Sequence, residues 1–217
     1  MRRRGGQSPL LTPQRPVVGV LLAAGSGSRF GGDKLLARLA DGRSLALAAL
    51  DGLAAGVDAV IAVVRPGDAA LYSLFARSGA QVAVCSDAAE GMGASLACGV
   101  RVVQQRFPQA QGVIIALADM PWLSSPTVER IANALRRGAG MVAPTHRGTR
   151  GHPVGFGAGR FVELQALSGD EGARSLLSAR GAELELISVD DPGVLRDVDT
   201  PADLRSSPRR RPGPKEQ

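Results

Sequence analysis

Three short stretches carry residues able to do chemistry on a polyphosphate. The first, Ala23-Ala24-Gly25-Ser26-Gly27-Ser28-Arg29-Phe30-Gly31-Gly32-Asp33-Lys34, follows an apolar run and combines several glycines with two cations. Glycines let the main chain pass close to a ligand, and successive peptide N–H groups can line an anion cradle. Lys34 stands apart because the chain has two lysines, the other being Lys215, against 24 arginines. A point charge on a flexible stem can follow a phosphate as its charge moves. The second stretch, Gly112-Val113-Ile114-Ile115-Ala116-Leu117-Ala118-Asp119-Met120-Pro121, delivers one carboxylate, Asp119, from a strongly apolar segment. The third, Arg196-Asp197-Val198-Asp199-Thr200-Pro201, adds two more. Carboxylates together with substrate phosphates are the usual ligands of Mg²⁺. Asp199 or Thr200 ahead of Pro201 also makes a good helix cap, which is the competing structural reading.

Two familiar readings of the glycine-rich turn fail on the residues. A dinucleotide fingerprint requires G-x-G-x-x-G, and position 30 is Phe. A phosphate-binding loop requires Gly-Lys-Ser/Thr, and here Gly32 is followed by Asp33, Lys34 and Leu35.

These stretches need elements to position them, and the apolar pattern supplies the expectation. Val17–Ala24, Ala59–Val64, Gln81–Cys85, Val113–Ala118, Met141–Ala143 and Leu184–Val189 read as strands. Ser44–Ala55, Asp68–Arg77, Ala94–Phe107, Thr127–Arg137 and Arg160–Leu167 read as helices, with Gly56, Gly79 and Gly138 as stops. Continuous apolar strands alternating with helices predict a three-layer α/β/α fold around a mostly parallel sheet. In such sheets ligands bind beyond the carboxyl ends of the strands, where the glycine-rich turn and Asp119 fall.

At 217 residues the chain suits one domain, and 3% aromatic content argues against a surface that stacks nucleic-acid bases. The formal charge of +6 sits at the ends: residues 1–15 and 205–217 each carry +4, which leaves −2 for residues 16–204. The body therefore has no basic face for a duplex, and no specific nucleic-acid partner is expected. Both flanks are read as disordered basic tails around a single domain at 16–204. Cys85 and Cys98 lack metal or disulfide spacing, which favours a reducing cytoplasm and small buried packing roles. The opening Met1-Arg2-Arg3-Arg4 is separated from the apolar run by Pro13 and Pro16, unlike a cleavable signal. No run reaches the length of a membrane span, so no membrane partner is expected.

Taken in order, the segments Leu22-Ala23-Ala24-Gly25, Arg29, Asp33-Lys34-Leu35-Leu36, Gly91-Met92-Gly93-Ala94-Ser95-Leu96, Leu117-Ala118-Asp119-Met120-Pro121, Gly151-His152-Pro153-Val154, Gly169-Asp170-Glu171-Gly172-Ala173-Arg174 and Asp197-Val198-Asp199-Thr200-Pro201 resemble the MobA-like nucleotidyltransferases. The closest branch in this respect is the molybdenum cofactor cytidylyltransferases, and the resemblance spans residues 16–204. It implies a nucleotide-diphospho-sugar-transferase-like fold and Mg²⁺. The implied reaction transfers CMP from CTP to the terminal phosphate of a molybdopterin-type cofactor, releasing pyrophosphate. A transient contact with a recipient molybdoenzyme or its chaperone would follow.

On that resemblance Lys34, Arg29 and Asp119 are the catalytic set. Leu22, Ala23, Ala24, Gly25, Ser26, Gly27, Ser28, Gly91, Met92 and Ser95 hold the nucleotide. His152, Pro153, Asp170 and Arg174 face the acceptor, and Asp119 with Asp199 or Asp197 holds the metal. Guanylyltransferases of the group generally carry a second glycine where this chain has Ala24, whose methyl would narrow the base pocket. Gly155 and Gly157 leave little bulk beside the acceptor turn, and His152 has a structural alternative as a residue that fixes that turn. The rival readings are transfer to another phosphorylated acceptor or from GTP, and a non-catalytic nucleotide-binding regulator. The isoprenoid cytidylyltransferase pattern is disfavoured, because its Pro-Ala-Ala-Gly opening and Asp-Ala-Ala-Arg motif are absent.

Overall fold

The computed structural model describes residues 15–25, Phe30 and residues 33–205. Both basic tails, apart from Arg15 and the backbone of Arg205, lie outside the described residues, as do Ser26, Gly27, Ser28 and Arg29.

The strands are β1 (Val17–Leu22), β2 (Ala59–Val64), β3 (Gln81–Val84), β4 (Gly112–Leu117), β5 (Met141–His146), β6 (Thr149–Arg150), β7 (Val154–Gly157) and β8 (Leu184–Ser188). The helices are α1 (Leu45–Ala54), α2 (Ala69–Arg77), α3 (Met92–Arg106), α4 (Ser125–Arg136), α5 (Phe161–Gln165) and α6 (Arg174–Ala179). They form one sheet in the order β3-β2-β1-β4-β7-β5-β6, with β8 also paired to β5. The pairs β3-β2, β2-β1, β1-β4 and β5-β8 are parallel, and β7 runs antiparallel between β4 and β5.

Every residue of β1 is buried, which fits its place at the middle of the sheet. Its side chains alternate between two cores. Val17 and Leu21 join Leu50 and Leu53 of α1 and Ile131 of α4, whereas Val18, Val20 and Leu22 join Leu96 and Val100 of α3 and Leu164 of α5. Helices thus cover both faces, as the three-layer expectation requires. Gly99 lets α3 lie close to the sheet, because a Cβ there would stand 2.6 Å from Val20 Cγ1 and 2.9 Å from Val63 Cγ2.

The sequence reading missed β6, β7 and α6. In β7 the glycines are packing devices: a Cβ on Gly155 would meet Ile131 Cγ2 at 2.7 Å, and one on Gly157 would meet the Ala139 carbonyl at 2.9 Å. Their small size reflects the close approach of α4 and of the loop before β5, a packing reason for the low bulk beside the acceptor turn.

Beyond β8 the chain returns across the carboxyl edge of the sheet, pinned by Asp191. This buried carboxylate accepts hydrogen bonds from Ser124 N at 3.1 Å, Thr127 Oγ1 at 2.8 Å and Gly193 N at 3.0 Å. Asp191→Ala strands those donors and is expected to cost about 2–4 kcal/mol, or roughly 5–15 °C in Tm, as thermal unfolding would read it.

Candidate active site

A cleft of about 710 Å³ opens at the carboxyl ends of β1, β2 and β4. Leu22, Ala23, Ala24, Gly25, Lys34, Gly91, Met92, Ser95, Asp119 and Asp170 all line it, so the structure gathers residues that the sequence spreads over about 150 positions.

Lys34 begins a 3-10 turn, Lys34–Leu36, and is 9% exposed. Its ammonium donates to Asp119 Oδ2 at 2.9 Å and to Asp199 Oδ1 at 3.2 Å. Burial alone would push the Lys34 pKa down, but the hydrogen bonds and charges of Asp119 and Asp199 outweigh it and hold it above its ordinary value. Asp119, Asp197 and Asp199 each offer a ligand oxygen, and these oxygens lie within 4.8 Å of one another. Asp119 Oδ1 is buried and has no hydrogen-bond partner among the described residues. Three hard oxygen donors converging around an orphaned one fit a divalent cation that also uses substrate phosphates.

The loop carrying Asp197 and Asp199 is braced at several points. Val198 N donates to the Asp119 carbonyl at 3.0 Å, which ties the two acidic segments together. Asp203 accepts from Asp199 N at 3.1 Å, from Thr200 N at 2.8 Å and from Thr200 Oγ1 at 2.8 Å. The capping alternative is therefore realised by Asp203 reaching back to Thr200, while Asp199 turns its carboxylate to Lys34. Arg196 stacks over the Trp122 ring, 4.3 Å from its centroid, and fastens the same loop to the residues after Asp119.

At the other side of the cleft, α3 starts at Met92 rather than Ala94. Ser95 donates its hydroxyl to the Gly91 carbonyl at 3.2 Å. The Ser168–Asp170 turn lies directly on this helix start: Gly93 N donates to the Gly169 carbonyl at 2.7 Å, and a Cβ on Gly91 would sit 2.4 Å from Asp170 Oδ1. This packing puts Asp170, read from the sequence with the acceptor group, beside Gly91 in the same cleft as the nucleotide set. Arg174, His152 and Pro153 do not line it.

His152 precedes a cis proline, Pro153, and its main-chain N donates to the Val194 carbonyl at 2.8 Å. The turn is thus fastened by backbone, not by the imidazole. Burial pushes the His152 pKa down and Arg150 adds to this, while Asp119 and Asp197 pull it up. Its Nδ1 is buried without a partner among the described residues.

Cys85 is buried and Cys98 half-buried, both as free thiols. The Cys98 thiol is pushed up to about 12, first by burial and then by its hydrogen bond with Cys85, which suits a packing role. The sequence reading missed Arg65 and Asp68, which also line the cleft. Arg65 directly follows β2, and the rule that ligands gather at strand carboxyl ends would have found it.

Residues 19–184 match the family described as the MobA-like NTP transferase domain. The chain belongs to that family. Among its relatives, the purine catabolism protein PucB of Bacillus subtilis is 34% identical, with 85% of this chain and 92% of the relative covered. Nicotine blue oxidoreductase of Paenarthrobacter nicotinovorans is 32% identical with the same coverage. A phosphoenolpyruvate guanylyltransferase of Sphaerobacter thermophilus is 34% identical over 79% of this chain and 83% of its own. The crystal structure of Rv0371c from Mycobacterium tuberculosis superposes with a TM-score of 0.77 at 29% identity, covering 88% of this chain and 96% of that one. Rv0371c has also been solved with manganese, with a TM-score of 0.71 at 27% identity, covering 87% and 95%. The family and the fold are those of nucleotidyltransferases. Among the described residues no helix is long and apolar enough to cross a membrane.

Proposed function

We propose that this protein is a divalent-cation-dependent nucleotidyltransferase that moves a nucleoside monophosphate from a nucleoside triphosphate to a phosphorylated acceptor. The observation that carries the reading is the convergence of Lys34, Asp119, Asp197 and Asp199 at the rim of a cleft beside the glycine-rich turn. An acceptor phosphate oxygen forms a bond to the α-phosphorus while the α–β bridge breaks in line, and pyrophosphate leaves with the electron pair. No enzyme nucleophile is required. Lys34 and Arg29 neutralise the charge that builds on the departing pyrophosphate. Asp119 with Asp199 and Asp197 would hold Mg²⁺, whose contribution is to offset triphosphate charge. Gly25 through Ser28 and the Gly91–Ser95 helix start hold the nucleotide, and His152, Pro153 and Arg174 lie toward the acceptor.

The general reaction is better supported than any one substrate pair. The motifs that resemble the cytidylyl branch favour CTP and a molybdopterin-type cofactor, with delivery to a recipient molybdoenzyme or its chaperone. The relative named as a phosphoenolpyruvate guanylyltransferase favours GTP and another acceptor. The name of the oxidoreductase relative finds no counterpart in the turn after β1, which lacks the dinucleotide fingerprint. Two free thiols suit a reducing cytoplasm.

Pyrophosphate release in Mg²⁺, measured with CTP, GTP, ATP and UTP and with or without molybdopterin cofactor, tests the reading. Release that needs CTP and the cofactor supports the cytidylyl case; release with another acceptor or GTP supports the broader one. No release from any triphosphate, where CTP with Mg²⁺ still binds, rejects molybdopterin as the acceptor and turns the search to other phosphorylated acceptors; no binding of any triphosphate rejects the enzyme. Ala24 lines the cleft at the end of β1, 7% exposed. Ala24→Gly is expected to shift the CTP/GTP preference toward GTP by about tenfold, the order of one methyl group in a tight pocket. An unmoved ratio of kcat/KM values would remove Ala24 from base selection.

A further inference from the structure

We propose that Lys34 is the resident counter-ion of the carboxylate cluster, so that a divalent cation is held there only as Lys34 withdraws from it, a withdrawal that a polyphosphate favours. The inference rests on the cation role given above to Asp119, Asp197 and Asp199.

The geometry makes the two occupants compete. The Lys34 ammonium bridges Asp119 Oδ2 at 2.9 Å and Asp199 Oδ1 at 3.2 Å. Those residues, with Asp197, supply the ligand oxygens that lie within 4.8 Å of one another. Lys34 is almost fully buried while Asp119 and Asp199 are partly exposed, so the pair is held from the lysine side and reachable from the carboxylate side. Asp119 Oδ1 remains buried and unpartnered even with Lys34 in place. Lys34 thus bridges the cluster and leaves one Asp119 oxygen unserved, which a dication would satisfy.

The same turn gives Lys34 somewhere to go. Lys34 lines the cleft together with Ala24 and Gly25, and its four-carbon stem can carry the charge a few ångströms without moving the backbone. An incoming polyphosphate attracts the ammonium and compensates for the charge partner that Lys34 gives up. Cation and polyphosphate should therefore bind with positive coupling, each making the other's place available. Arginine would serve poorly, since its planar fork has less freedom to exchange one anion for another.

The test exploits the presence of two lysines, Lys34 and Lys215. Protein labelled with ¹³C at the lysine ε-carbon gives two signals that Lys215→Arg assigns. In rising Mg²⁺ the Lys34 signal is expected to move while the Lys215 signal stays. Tripolyphosphate should lower the Mg²⁺ needed. In parallel, Lys34→Met is expected to bind Mn²⁺ alone roughly tenfold or more tightly than the wild type does, as free-ion electron paramagnetic resonance would report. A Lys34 signal that Mg²⁺ leaves unmoved overturns the proposal, and so does a folded Lys34→Met protein whose Mn²⁺ affinity is unchanged or weaker. If that variant does not fold, the wild-type spectra decide alone. Both readouts follow binding, so the outcome of the pyrophosphate assay bears on the transferase reading without deciding this one.

Discussion

Lys34→Ala is expected to lower pyrophosphate-releasing turnover by about 10²–10³, the loss found when one preorganised charge partner of a transition state is removed. The ammonium is buried against Asp119 and Asp199, and its elevated pKa keeps it charged at any working pH near neutrality. Its contribution grows as charge accumulates on the leaving pyrophosphate. The loss should therefore fall mainly on kcat, with a smaller rise in KM for the triphosphate. Steady-state kinetics under saturating acceptor read this directly. Near-wild-type kcat would remove Lys34 from the chemistry and leave it as a structural counter-ion.

Asp119→Asn should be at least as severe, about 10³ or more in turnover. A cation that neutralises phosphoryl charge is worth several kcal/mol, and each 1.36 kcal/mol is tenfold in rate. The substitution keeps size and shape, so the loss is one of charge. Asp119 sits at the junction of the arrangement: Oδ2 meets Lys34, Oδ1 is buried and unpartnered among the described residues, and the main-chain carbonyl receives Val198 N. Mn²⁺ binding should fall with turnover in the same variant. Turnover that survives while Mn²⁺ binding is lost would separate the cation from the reaction.

The parts of this molecule that could be read from sequence are those in which local chemistry and global role agree. β2 is a continuous apolar run in the central part of the sheet, and its observed bounds, Ala59–Val64, coincide with the expected ones. β7 could not be read this way. Val154-Gly155-Phe156-Gly157 has neither length nor alternation, and it becomes a strand because β4 and β5 pair with it on either side. In the site, Lys34 and Asp119 were legible as charged residues placed just after apolar segments. Asp199 was also legible, but its partner was not: an ion pair across 165 residues leaves no trace in local pattern. The braces were half legible. Thr200-Pro201-Ala202-Asp203 has the spacing of a reciprocal cap, yet nothing local says that Asp191 would fasten the loop to Ser124 and Thr127. The place of Asp170 beside Gly91 was not legible, because it depends on how the Ser168–Asp170 turn packs on Gly91 and Gly93.

The return of residues 191–203 across the sheet edge has a consequence for how the protein is made. Lys34 emerges from the ribosome before Asp119, and Asp119 before Asp197 and Asp199. A nascent chain that has already laid β1 beside β2 and β4 still lacks two of the three carboxylates and the bridge to Lys34. Pairings so distant in sequence are also among the slowest to close, since loop entropy opposes them until the rest is in place. On the proposed reading, competence to hold the cation therefore waits for the acidic loop, and a product interrupted before Asp197 is left with a cleft but no complete carboxylate cluster. The acidic loop is thus the part of the site that every earlier segment waits for.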